Sequence, residues 1–245
     1  MTEKIIRQDV DGLCTLTFNR PDKLNALDRE TFETLDAHLA DLEQQTESVG
    51  CVVLTGAGRA FSAGNDLGTL GKDPEPPTFR PKIIDRLANL PQPTVAAVRG
   101  VCFTGALEVA LACDFILADA TVRFGDTHGK FGLVPTWGMA MRLPRRVGQA
   151  TAMRITMTGA EVHAEEAKAI GLADLTAPDG GLDDLVAEYT GQILRNSWHC
   201  NRHMKRIIRE TDGLPIGQAI ADTHYRHPGH APDWRDRVAS FSRRK

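Results

Sequence analysis

The 245-residue chain has no apolar run approaching 18 residues, and its opening stretch, MTEKIIRQDV, lacks the apolar core of a signal peptide. A cytoplasmic protein without membrane spans is predicted. Cysteines are few and unpaired in pattern: Cys14, Cys51, Cys102, Cys113 and Cys200 are odd in number and form no CxxC. That excludes a disulfide framework and a zinc-finger spacing, and fits reduced thiols. Neither sign of charge dominates, with 29 Lys+Arg against 32 Asp+Glu and a net charge of −3. A nucleic-acid binder needs a basic face, so no nucleic-acid partner is expected. There is also no internal repeat and no low-complexity tract, which removes solenoids and disordered tails. What remains is ordinary globular material, 42% hydrophobic and 25% charged, long enough for one large or two unequal domains.

Along the chain, short apolar runs alternate with helical patterns. Lys4–Arg7, the Asp11-Gly12 turn and the alternating 13–18 segment predict strand, turn, strand. Asp28 stands where an N-cap belongs, ahead of Phe32, Leu35, Leu39 and Leu42 on one helical face. Buried strands are predicted at 51–55, 94–98 and 115–117, and an apolar helix over 105–112. Residues 72–81 hold four prolines and little to bury, so a mobile loop is predicted there, with a helix over about 82–90. After residue 138 the patterns read as helical throughout. The rhythm is that of an α/β fold with largely parallel pairing. Residues 1–195 form the predicted core and 196–245 a helical appendix whose apolar stripes suit packing on another subunit or on the core itself.

Two Gly-containing loops, 61–67 and 99–105, each lead from an apolar strand toward a helix. Backbone N–H groups at helix starts have no internal partner, and two of them converging would make an oxyanion hole. Glu108 lies in a segment apolar almost all round, one turn beyond Gly105. A carboxylate there is costly unless paired or used, so either a hydrogen-bonded structural Glu or a catalytic one fits.

Asn19-Arg20-Pro21, Leu24 to Leu27, Val53 to Gly56, Phe61 to Leu67, and Ala96 to Gly100 followed by Gly105 to Ala110 occur in an order that closely resembles the enoyl-CoA hydratase/isomerase (crotonase) family. Later pieces, Phe124, Gly132, Pro135, Thr158-Gly159 and Gly171-Leu172, continue in register. The resemblance implies a spiral of ββα units with a C-terminal helical trimerisation region, assembling as a homotrimer or homohexamer. It also implies an acyl-CoA thioester as substrate, with CoA arriving as part of that substrate and no metal or other cofactor. By position, the oxyanion-hole amides would be Asn65 and Gly105, and the first catalytic carboxylate Glu108. Lys23, Leu24, Ala63, Asp66 and Leu67 match segments that hold CoA.

One departure matters. The second catalytic Glu of hydratases sits 20 residues after the first, where this chain carries His128. A His can still give or take a proton near neutral pH, or can serve only as a hydrogen-bonded wall. Asp126 would point the other way on a strand. Trp137 replaces small residues common in the family and would either narrow the acyl pocket, stack on an aromatic acyl group, or fill the core. Hydration of a 2-enoyl-CoA leads the expected reactions, with enoyl-CoA isomerisation and a non-catalytic acyl-CoA binder as alternatives. Three other signals are weaker. Ser62 is a poor nucleophile elbow because Thr55 ends the strand seven residues earlier. Gly56-x-Gly58 lacks the third glycine of a dinucleotide loop. His224, His227 and His230 straddle the Pro228-Gly229 break, which spoils metal geometry.

Overall fold

The computed structural model describes residues 3–69, 72, 75–225 and 228–242. His227, the basic end Arg243-Arg244-Lys245, and part of the proline-rich 72–81 stretch therefore lie outside the described residues. The chain opens on a hairpin of β1 (Ile5–Val10) and β2 (Leu13–Phe18), closed at Asp11 and Gly12, both with positive φ. Alternation in β2 buries Cys14, Leu16 and Phe18 on one face. Helix α1 (Arg29–Leu42) starts where its cap predicts, with Asp28 Oδ1 accepting the Thr31 N–H at 2.9 Å.

From β3 (Cys51–Gly56) onward the chain spirals. Helix α2 (Phe79–Ala88) begins three residues before the predicted position, since Pro81 falls in its first turn, where a missing N–H costs nothing. Next come β4 (Thr94–Val98), β5 (Val101–Phe103) and α3 (Gly105–Ala112), then β6 (Phe115–Asp119) and β7 (Arg123–Gly125). Each turn gives one strand to a six-stranded sheet (β1-β2-β3-β4-β6-β9), one to a three-stranded sheet (β5-β7-β8), and then a helix. Pairing from β2 to β9 across the large sheet is parallel throughout. This is the α/β spiral of ββα units that the sequence led us to expect.

The later part departs from an all-helical reading. Between α4 (Met139–Val147), α5 (Gln149–Thr158), α6 (Ala164–Ala169) and α7 (Leu182–Arg195) lie two short strands, β8 (Glu161–His163) and β9 (Leu175–Ala177). Three residues are too few to show a period, and both strands are held by pairing with β7 and β6 instead. One face of the large sheet packs against α1, α2 and α3 to form the main core. The opposite face, with Cys51, Val53, Val95, Ala97 and Leu117, is covered by Leu182, Leu185, Val186 and Tyr189 of α7.

The chain ends in α8 (Trp198–Thr211), α9 (Ile216–Tyr225) and α10 (Trp234–Ser242). Helix α8 buries no residue fully, yet a buried ion cluster pins it to the core. Lys205 Nζ donates to Gln92 O at 2.8 Å and lies 2.7 Å from Asp114 Oδ2, while Arg209 reaches Asp114 Oδ1 at 2.8 Å. Among the described residues no helix is long and apolar enough to cross a membrane. All five cysteines carry free thiols, and burial pushes the Cys51 thiol up to about 12.

Candidate active site

Every residue of α3 is buried, Glu108 included at 1% exposure, so its carboxyl group must find partners inside the protein. It finds them on one side only. Glu108 Oε1 accepts the backbone N–H groups of Trp137 at 2.8 Å and Met139 at 3.0 Å, from the segment that enters α4. Oε2 has no hydrogen-bond partner and faces His128 Nε2 across 3.8 Å. Burial holds the carboxyl above the usual carboxylate range, with the Met139 amide, His128 and the Trp137 amide opposing that rise and Asp126 adding to it.

His128 opens a single 3₁₀ turn, His128–Phe131, just past the end of β7. Asp126 does not point away from His128 as expected: residues two apart share a face of a strand, and here the chain has already left β7. Its Oδ1 folds back as an Asx turn, 2.6 Å from His128 Nδ1 and accepting the His128 backbone N–H at 3.1 Å. Asp126 is only 2% exposed.

The two glycine-containing loops meet beside this pair. Ser62 and Cys102 form a parallel bridge that extends the small sheet, and Leu27 bridges Asn65 on the other side. The Leu27 bridge uses Gly64 O and the Asp66 N–H, and among the described residues the Asn65 N–H has no hydrogen-bond partner. Gly105 is the first residue of α3, and its N–H is unpaired for the usual reason at a helix start. The approach is close: a β-carbon built on Gly64 would fall 2.4 Å from Thr104 Oγ1 and 3.4 Å from the Gly105 nitrogen. Thr104 takes a positive φ of 50°, rare for a β-branched residue, to turn the chain into α3 at this point. Two unpaired amides beside a desolvated carboxyl–imidazole pair can hold a developing oxyanion while protons move next to it.

A cavity of about 600 Å³ opens onto Asn65, Glu108 and His128, while Gly105 is not among its lining residues. Ala63, Asn65, Leu67, Glu108, His128 and Trp137, all singled out from sequence, line it. Gly105 lies directly behind Trp137, so close that a β-carbon there would fall 2.2 Å from the indole. Lys23 and Leu24 sit outside the cavity, on the loop whose Leu24 carbonyl accepts the Ala63 N–H at 2.8 Å. Asp66 faces away from it, paired with Arg20 at 3.0 Å and capping the Gly68 N–H. Ser62 is fully buried and its hydroxyl accepts the Gly64 N–H, which leaves no exposed nucleophile.

Sequence reasoning missed Arg80, in the stretch read as a loop. Its guanidinium donates to Asn65 Oδ1, pairs with Glu75 at 2.6 Å, and lies over the Phe32 and Trp137 rings at 5.1 and 5.6 Å. No pattern signals it. Asp126 did carry a signal, the Asp-x-His spacing of an Asx turn. Trp137 itself is both wall and core, edge-on to Phe32 with centroids 5.1 Å apart.

A spiral of ββα turns with a buried carboxyl facing a cavity places the chain in the class of crotonase-type acyl-CoA enzymes. Residues 8–227 match the model of the enoyl-CoA hydratase/isomerase family, and the chain belongs to that family. Among its relatives is a 1,2-epoxyphenylacetyl-CoA isomerase of Escherichia coli, 31% identical over 98% of this chain and 96% of that protein. A short-chain-enoyl-CoA hydratase of Clostridium acetobutylicum is 32% identical over 89% of this chain and 85% of its own length. An enoyl-CoA hydratase structure from Bacillus anthracis superposes with a TM-score of 0.92 at 27% identity, covering 99% of this chain and 97% of that one.

Proposed function

We propose that the protein hydrates a 2-enoyl-CoA to a 3-hydroxyacyl-CoA. The thioester oxygen sits between the Asn65 and Gly105 N–H groups, and the acyl chain lies in the cavity against Trp137. Lys23, Leu24, Ala63, Asp66 and Leu67 belong to the loops along which CoA runs. As the water oxygen bonds to Cβ, one of Glu108 and His128 takes its proton. The electron pair moves onto the thioester oxygen in the hole, and the resulting enolate collapses by taking a proton at Cα from the other. CoA enters with the substrate, and the chemistry needs no metal or redox cofactor.

The observation that carries this reading is the one-sided clamp on Glu108. Two amides saturate Oε1 and leave Oε2 bare, 3.8 Å from His128 Nε2. That separation is too long for a direct hydrogen bond, and one water can lie within hydrogen-bond reach of both atoms. Mass spectrometry of crotonyl-CoA incubated with the protein tests it. Gain of one water, lost in Glu108→Gln, is expected. No gain on short, long, branched or aromatic 2-enoyl-CoA would end the hydratase reading.

Enoyl-CoA isomerisation is the second reading. It needs one proton shuttle rather than a positioned water, and the similarity to a 1,2-epoxyphenylacetyl-CoA isomerase over 98% of the chain supports an isomerisation on a CoA thioester without water gain. Exchange of α-protons in heavy water without water gain is its signature. Tight acyl-CoA binding without either reaction would identify a non-catalytic binder. For the assembly, we propose a homotrimer or homohexamer built through residues 196–245, supported by the apolar side chains that α8, α9 and α10 leave exposed, among them Ile208, Ile216, Ile220, Val238 and Phe241.

A further inference from the structure

The chemistry proposed above requires that Glu108 and His128 together hold one proton, on a defined pair of atoms. Nothing in Glu108 alone ensures this. Its Oε1 already accepts two N–H groups, so a proton on this carboxyl resides on Oε2, the oxygen facing His128 Nε2. If the neutral imidazole also carried its hydrogen on Nε2, two hydrogens would point at each other across the gap. The neighbouring acid decides which ring nitrogen is protonated.

We propose that Asp126 is a positioning residue that fixes the neutral His128 as the Nδ1–H tautomer, turning the Nε2 lone pair toward Glu108 Oε2. The same Asp126 oxygen lies 2.6 Å from Nδ1 and accepts the His128 backbone N–H at 3.1 Å, so ring and backbone are held by one acceptor. Its carboxyl is 2% exposed, which leaves bulk water little access to compete for Nδ1. Oε2 and Nε2 then face each other with one proton between them, and whichever atom holds it is the donor while the other is the acceptor. In hydration the donor's proton goes to Cα and the acceptor takes the proton of the attacking water. The pair ends the cycle with one proton, as it began, so no outside acid or base is needed to reset it. This inference rests on the hydratase reading for its chemistry but not for its geometry.

The test begins without substrate. Long-range ¹H–¹⁵N correlation spectra of ¹⁵N-histidine-labelled protein, with His128 assigned by its loss in His128→Gln, report the tautomer directly. We expect the wild-type ring to carry its neutral-form hydrogen on Nδ1, and Asp126→Ala to lose that preference. Asp126→Asn is expected to retain it, because an amide oxygen can accept the same two N–H groups. With crotonyl-CoA, Asp126→Ala is expected to lower kcat about 100-fold with KM within about threefold, and Asp126→Asn to recover part of the loss. A role in folding alone would lower the yield of active protein without changing the tautomer of what remains folded. A wild-type His128 protonated on Nε2 overturns the proposal, as does an Asp126→Ala protein whose tautomer and kcat match wild type. Should the Ala variant not fold, the wild-type and Asn spectra decide. If no acyl-CoA is turned over while the Nδ1–H tautomer is found, the hydratase reading falls and the positioning role stands.

Discussion

A carboxyl group whose pKa rises on folding binds its proton more tightly in the native chain than in the unfolded one, and Glu108 is such a group. Its contribution to stability is fully present below the unfolded value of about 4.5 and is lost as pH rises through the higher folded value. Glu108→Gln keeps an oxygen for the Trp137 and Met139 amides and removes the buried charge. Thermal unfolding is therefore expected to show the variant gaining on wild type as pH rises from about 4.5, while its activity is lost. Equal differences in Tm at all pH values would contradict this. Gly105 is the second sensitive point of the site at this scale, since a β-carbon would fall 2.2 Å from the Trp137 indole. Gly105→Ala is expected to cost about 1–3 kcal/mol in urea unfolding and to weaken turnover more than Glu75→Gln does, because the added methyl displaces Trp137, whose backbone amide holds Glu108.

Among elements, α8 is tied down at its buried end by one anion, beside a second pair in which Arg202 meets Glu47 at 2.9 Å. Asp114 holds Lys205, whose side chain is 8% exposed, together with Arg209, and also accepts the Thr94 N–H at 2.8 Å. Burial lowers the Lys205 pKa and Asp114 pulls it back up. Asp114→Ala leaves that ammonium buried without a counter-charge, and urea unfolding is expected to show a loss of about 3–5 kcal/mol. A loss below 1 kcal/mol would mean that α8 docks by other contacts. The same scale shows what the sequence could reveal. Helices α1 and α3 were legible from a capping Asp28 and an all-apolar run, and β2 to β4 and β6 from alternation or buried runs. Strands β5, β7, β8 and β9 were not, because three residues carry no period and their identity comes from distant partners. Glu108 and the two glycine loops were legible as one polar residue and two turns in apolar surroundings, while Asn65 and Gly105 as the amides came from the family resemblance. Arg80 was hidden because its partners Asn65, Phe32 and Trp137 are remote in the chain, whereas the Asp126 contact was legible in the Asp-x-His spacing and was misread.

At the scale of the whole molecule, the spiral collects its chemistry one turn at a time. Asn65 follows β3, Gly105 and Glu108 follow β5, and His128 follows β7. The C-terminal helices stand apart from this, with Ile216 76% and Phe241 67% exposed, a face that suits contact with further copies of the chain. Sedimentation is expected to find a trimer or hexamer, and Ile220→Asp with Val238→Asp to reduce it to monomer. A monomeric wild-type protein would refute that assignment. The cavity walls differ in how tightly they are tied to the reaction. Residues 133–137 carry the Trp137 amide that clamps Glu108, whereas among the described residues of 75–81 it is Arg80 that reaches the site, meeting the Asn65 side chain and lying over the Trp137 ring. Substitutions at Pro77 or Pro81 can thus reshape one side of the cavity while leaving the clamp on Glu108 in place, whereas a change of length within 133–137 moves the amide that holds it. For an engineer, the proline-rich wall is the place to graft a new specificity.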